Sequence, residues 1–465
     1  MNVFTDNTAF GRLLRFWTDF SQPVRGRQYL THGLALATLK YLGDAILIHA
    51  ASGTFWTPAE YLRGVPSLFA RGLSGSDVWW LGPALLFWML PFVWLGITLT
   101  MRRAVDANRS PWLAVLFLVP YVNYFLIVGL SWAASKRPAN DAPRPVARTS
   151  VSDVAAAGIS VATGVLIAVL LVGAGLKTLN AYGAWLFVLT PFVIGASTGF
   201  VYNRWLDTTS SKTSVLVIAT VVAAGGALLV FGIEGLVCIV MALPIAIPLA
   251  LLGGTLGRNA ALSRSGPVSP IAFMLLALPM TAAFEPGTGS LMHEVRSSVI
   301  IGAPPNEVWP HVVAFREIPV PDDWLFRVGV AYPIRARIDG TGVGAMRYCV
   351  FSTGSFVEPI TRWEVGRRLS FDVIESPATM TELSPYRNLS PRHLHGYLRS
   401  RRGEFRFVDL GDGRTRLEGS TWYEIEMAPE GYWQMFSDML IHRIHQRVLD
   451  HIKREVETER RHGSE

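Results

Sequence analysis

"HEVRSSVIIGAPPNEVWPHVVAF" (residues 293–315) changes its hydrophobic period halfway along. Val295, Ser297, Val299 and Ile301 alternate with Arg296, Ser298 and Ile300, which predicts a strand with one mixed face. Ala303-Pro304-Pro305 ends it, and the prolines suit the opening of a helix, where a missing N–H costs nothing. Val308, Trp309 and Val312 then mark the apolar side of a short helix. Further period-two runs follow at 327–340, 342–351 and 356–376. Residues 403–427 read as a hairpin turning at Gly411-Asp412-Gly413, and the chain closes with a helix from about 430 to 457. Residues 293–457 are thus patterned as a water-facing α+β domain.

What precedes them is not. The chain has 465 residues, with half in the apolar set and only 17% charged. Residues 293–465 hold 23 of the 42 Lys+Arg, 24 of the 35 Asp+Glu and 8 of the 10 His. The remaining 19 basic and 11 acidic residues give residues 1–292 a charge of +8 against −1 for 293–465, so the net +7 arises from the first part. A basic excess beside apolar spans reflects orientation and anionic headgroups. No basic strip interleaved with aromatics argues for nucleic acid.

A span needs about 20 apolar residues. Stretches of that order lie at 78–101, 110–135, 154–176, 178–203, 213–233, 235–257 and 265–284. An eighth, about 30–50, carries Lys40 and Asp44 four apart, placed to neutralise each other. Residues 8–20 read as a surface helix. The polar, Pro- and Arg-rich 135–152 divides a membrane segment of about three spans (1–134) from one of about five (153–288). The span count places the carboxy-terminal domain on the cytoplasmic side. The charges of the second half pull the other way, and a dip and return of 110–135 at "VPYVNY" (119–124) would flip it. Glu234, between Gly232 and Gly235, reads as a hairpin residue, with a buried ion or proton role as the alternative. Cys238 and Cys349 suggest neither a disulfide framework nor a zinc site.

"TMRRAVDANRSPWLAVLFLVPYVNYFLIVGL" (100–130), with "RGRQYL" (25–30), resembles the uncharacterised bacterial inner-membrane family known as domain of unknown function 805, over about 20–135. The paired Arg, the loop Asp and the proline-broken helix carry the likeness; Ala104-Val105 stand where the family has Leu-His. It implies a multi-pass protein of the bacterial inner membrane and no chemistry.

"IGAPPNEVWPHV" (301–312), "EPITRWEVGRRLSFDV" (358–373), "DGRTRLEGSTWYE" (412–424) and "GYWQMFSDMLIHRIHQRVLDHIKREVE" (431–457), in that order, resemble the SRPBCC or START-like superfamily of lipid-transfer domains and polyketide cyclases. The expected fold is a multi-span α-helical bundle of about eight helices, then a helix-grip domain over 293–457. In that domain a curved antiparallel sheet wraps a long terminal helix, and a charged tail follows at 458–465. A sheet that curls around one cylinder leaves a hollow.

Setting Ile444 at the centre of the helix stripe puts His451 and Trp433 on it, and Tyr348, Trp363, Trp422 and Tyr423 are candidates to close on the same hollow. All six also suit an ordinary core. Asp438, His442 and His445 fall on the solvent flank, read as surface polar residues and not as a metal site. In the long irregular stretch 375–402, His393, His395 and Arg399 are candidates for a gate.

The resulting expectation is a membrane-anchored domain that binds a lipid or other hydrophobic small molecule beside the bilayer, with no cofactor and no protein partner named. A cyclase- or dehydrase-like enzyme and a ligand-sensing or docking protein are the alternatives. No phosphate loop, nucleophile elbow or carboxylate pair argues for catalysis.

Overall fold

The computed structural model describes residues 23–63, 81–118, 122–135, 151–178, 185–262, 292–386 and 396–463, with a few single positions besides. It divides into a helical unit and a unit built on residues 286–465.

In the helical unit, α1 (Gly26–Ser52) and α2 (Leu81–Asp106) precede a broken stretch. There a 3-10 turn over Pro111–Leu118 is followed by α3 (Val122–Trp132). Eleven residues rise about 16 Å, too little to cross about 30 Å of hydrocarbon. The single span expected over 110–135 is therefore corrected to two short pieces, with Pro120, which has no N–H to donate, between them in sequence. The paired-Arg loop secures the end of this stretch. Arg103, fully buried, donates from Nε to the Leu130 carbonyl at 2.8 Å, and also to the Ala133 carbonyl and to Asp106. It satisfies carbonyls that the end of a helix leaves orphaned. Lys40 and Asp44 pair as the sequence indicates, and the Tyr61 hydroxyl donates to the same carboxylate.

The later helices are α4 (Asp153–Thr178), α5 (Thr190–Trp205) entered through a π turn at Trp185–Leu189, α6 (Ser210–Val230) and α7 (Leu236–Leu262). Among the described residues five helices are long and apolar enough to cross a membrane, fewer than the eight expected. The stretch 265–284, the linker and most of 1–22 lie outside the described residues. The window through α5 is 78% buried, against 22–28% for α4, α6 and α7, so α5 is the central helix. Gly195 and Gly199 allow this. A Cβ at either would strike a backbone carbonyl of α7, at Ala250 or Gly254. Small residues at such crossings let helix backbones approach where no hydrophobic driving force operates.

The second unit is a seven-stranded antiparallel sheet in the order β1-β7-β6-β5-β4-β3-β2. Its strands are β1 (Met292–Ile301), β2 (Pro333–Asp339), β3 (Met346–Phe351), β4 (Gly354–Glu364), β5 (Arg368–Asp372), β6 (Leu398–Asp409) and β7 (Thr415–Ile425). The short α8 (Pro305–Val313) and α9 (Trp324–Arg327) connect β1 to β2. The β6–β7 turn has Gly411 and Gly413 at positive φ, as the hairpin reading requires. The long α10 (Glu430–Gly463) lies on the concave face. It runs through most of the tail expected to be separate: Gly302 N–H donates to Glu457 and the Gly302 carbonyl accepts from Arg460, which ties this end to the β1–α8 connection, and Arg461 donates to the Glu457 carbonyl within the helix. One core joins sheet, α8 and the second half of α10 through Ile301, Val312, Leu369, Leu417, Leu449 and Ile452.

Candidate functional site

Register fixes what faces α10. On β7 the odd positions point to the helix. Leu417 joins the core, Thr421 meets His445, and the Tyr423 hydroxyl donates to Asp438 Oδ1 at 2.6 Å. The pairings of Gly403 with Thr421 and of Phe405 with Gly419 carry that face onto β6. Phe371, Ile360, Glu358 and Arg347 continue it along β5, β4 and β3.

Two polar features lie on this concave face. The first is an ion pair between Arg347 and Glu358, at 2% and 5% exposure. The guanidinium also donates to the Val313 carbonyl, and the rings of Phe371, Phe405 and Phe315 stand 5.1–5.9 Å from it. Burial pushes the Glu358 carboxyl up, an effect the guanidinium offsets in part. Burial also pushes the neighbouring Cys349 thiol up to about 12, which leaves it unreactive.

The second is a seam along the first half of α10. Ser297 Oγ lies 2.8 Å from His442 Nδ1 and 3.2 Å from His445 Nδ1, and Thr421 Oγ1 lies 2.8 Å from His445 Nε2. His293 Nε2 is 2.8 Å from Glu430. Burial, then the neighbouring His442, push the His445 imidazole down to about 3, so it is neutral at pH 7. Burial pushes the Asp438 carboxyl up, against the Tyr423 hydroxyl. The solvent-flank placement of Asp438 and His445 is thus corrected, while His442 stays exposed with its Nδ1 on Ser297. The helix is gripped on two sides: the sheet takes these three, while Leu440 and Ile444 pack with Leu325, Phe326 and Val330 around α9. A wheel drawn for a single contact face misses the second.

The candidates separate. Tyr423 lies in the seam; Trp433 is buried at the same end of α10, its ring 5.3 Å from Tyr432. His451 sits two turns past His445. Its ring is 6.2 Å edge-on from Phe315, and Nε2 is 3.5 Å from Glu455 Oε2, which is 3.6 Å from His311 Nδ1. Burial pushes the His451 imidazole down, and Glu455 draws it part way back. Trp363 packs against Trp309 at the α8 end, 5.4 Å between rings. Tyr348 and Trp422 take the opposite parity and lie on the outer face, under the guanidinium groups of Arg337 and Arg402. Arg399 belongs to β6, paired with Glu424, because the strand begins before the gate stretch ends. His393 and His395 lie outside the described residues. Residues 374–381 are pinned by backbone bonds to Val357 and Gly329.

Sequence reasoning missed Arg347, Glu358, Ser297 and Thr421. A signal exists for the first two: each shares the parity of apolar neighbours, Cys349 and Phe351 for Arg347, Phe356 and Ile360 for Glu358.

Residues 19–184 match the model of a family described as "Protein of unknown function (DUF805)", which bears out and extends the likeness seen over 20–135. No curated protein matches the chain. Similar solved structures include an aromatase/cyclase from Streptomyces sp. R1128, at 15% identity over 36% of this chain and 94% of that one, TM-score 0.23. A norcoclaurine synthase mutant from Thalictrum flavum, bound to a transition-state analogue, is 11% identical over 37% and 99%, TM-score 0.25. A Nitrosospira multiformis protein is 17% identical over 36% and 99%, TM-score 0.24. Strand order and the helix on the concave face carry the fold assignment here, not these scores. The chain joins apolar helices similar to the DUF805 family to a domain of helix-grip fold.

Proposed function

We propose that the helix-grip domain binds a hydrophobic small molecule or lipid, held close to the bilayer by the apolar segments that precede it in the chain. The observation that carries this reading is the make-up of the concave face. Gly419 places no side chain at its middle, the Phe371 ring lies over Gly403 and with Phe405 forms an apolar wall, and buried polar groups stand at one end. Ligand sites combine an apolar lining with a few fixed polar groups in this way. Tethering to a multi-pass segment of the bacterial inner membrane raises the effective concentration of membrane-dissolved ligands without added contacts.

Mass spectrometry of organic extracts from the full-length protein and its Gly419→Leu variant tests the reading. A Cβ at 419 meets only ordinary contacts from Phe405 and Leu449, so a leucine there adds bulk on the concave face without striking the backbone. A lipid or isoprenoid enriched with the wild type and lost with the variant is expected. Identical extracts would reject binding in the hollow. A cyclase- or dehydrase-like reading is the second, favoured by the hydroxyl–imidazole contacts along α10.

A further inference from the structure

The polar seam does more than fasten helix to sheet. His445 uses both ring nitrogens, one toward Ser297 and one toward Thr421, and Ser297 stands between two imidazoles. A hydroxyl donates one hydrogen bond, so Ser297 must donate to one ring and accept from the other. The four groups are therefore polarised in one direction and can be polarised in the reverse. One end, His442, is exposed; Ser297 is 4% exposed; the other end, Thr421, faces the concave side beside Gly403.

We propose that Thr421, His445, Ser297 and His442 form a proton relay between solvent and the hollow, which equips the domain for acid–base chemistry on a ligand bearing a phenol or enol hydroxyl. The proposal rests on the reading that the hollow takes a ligand. In the outward direction the ligand O–H passes its proton to Thr421 Oγ1, and the Thr421 proton moves to His445 Nε2. The His445 Nδ1 proton moves to Ser297 Oγ, the Ser297 proton to His442 Nδ1, and the His442 Nε2 proton to water. Each protein group ends neutral with its hydrogen bond reversed, and the ligand keeps the electron pair as phenolate or enolate. Neutral His445 suits this, since an imidazolium would trap the proton midway. The nearest acid along the helix, Asp438, is taken up by Tyr423 and Gln434, so it does not fix the charge on the chain.

The test uses 2-naphthol, an apolar phenol whose excited state is a strong acid, with the full-length protein in detergent. Anisotropy that is lost in Gly419→Leu reports occupancy of the hollow; the rate at which naphtholate emission appears reports proton transfer. Wild type and Thr421→Ser are expected to transfer alike. Ser297→Ala, His442→Ala and the isosteric Thr421→Val should bind 2-naphthol but slow naphtholate appearance roughly tenfold or more, as losing a positioned acid–base group does. Detergent contributes equally to all. Equal rates in wild type and the three variants, with binding intact, would overturn the relay and leave the binding reading standing. No anisotropy change that Gly419→Leu removes would overturn both.

Discussion

Arg347 and Glu358 show how a single pair can set the character of a domain's interior. Both are taken from water, and neither has another ion as partner among the described residues. Removing one partner leaves an uncompensated buried charge, so Arg347→Ala should lower the unfolding free energy by about 3–5 kcal/mol. Arg347→Met with Glu358→Leu should lie near wild type, because the desolvation cost of both ions goes with their attraction. Denaturant titration of the full-length protein followed by domain tryptophan fluorescence checks both. His445 has the opposite logic. Its folded-state value of about 3 lies below the ordinary histidine value near 6.5 in the unfolded chain. Between those values the unfolded chain holds the extra proton. The stabilisation is therefore full above about pH 6.5 and falls as the pH drops toward 3. The raised Asp438 carboxyl acts the other way and offsets part of it. A net loss on the order of 2 kcal/mol between pH 7 and 4 is expected for this partly exposed ring, and His445→Gln should flatten the slope.

At the scale of elements, α5 and α10 solve the same problem with different chemistry. The central α5 has neighbours on every side, and small residues let α7 come close. Gly195→Val would drive a branched side chain into the Ala250 carbonyl. The expected cost is about 1–3 kcal/mol or more, read as a lower melting temperature in detergent, whereas Gly226→Ala, with open space at its Cβ, should be neutral. The terminal α10 instead meets the sheet through hydrocarbon over Val448, Leu449 and Ile452, and through hydrogen bonds over Asp438, His442 and His445. Its sequence announced a helix plainly through its apolar spacing. That spacing says nothing of how wide an arc would be covered, which is why the second polar contact face was taken for a solvent flank.

For the whole molecule, the ends of the later helices bear on orientation. The end of α5, the start of α6 and the end of α7 meet on one side of the bundle, where Arg258 donates to the Thr208 carbonyl at 2.7 Å. Arg204, Lys212 and Arg258 collect there, with Asp207 as the nearby acid. Positive charge stays on the cytoplasmic side. A cysteine at exposed Ser211, in a Cys238→Ser background, should thus be shielded from an impermeant maleimide in intact cells. The same reagent on a cysteine at exposed Val343 reads the side of the sheet domain, which the eight-span count puts in the cytoplasm and a return of the chain at 110–135 would reverse. Labelling there with Ser211 shielded would favour the second-half charges over that count.

The residue pattern by itself determined the two-part plan, the strand–helix–strands–helix order after residue 293, the β6–β7 turn and the Lys40–Asp44 pair. These are local properties: a period, a proline, a glycine at a turn, a spacing of four. Only the tertiary structure decided which strand face meets α10, and so moved Tyr348 and Trp422 outside while bringing Ser297, Thr421 and the Arg347–Glu358 pair within. Strand order, register and the bulges in β4 and β6 set those meetings. The partners lie up to about 150 positions apart in the chain (Ser297 with His445), farther than any local pattern reaches.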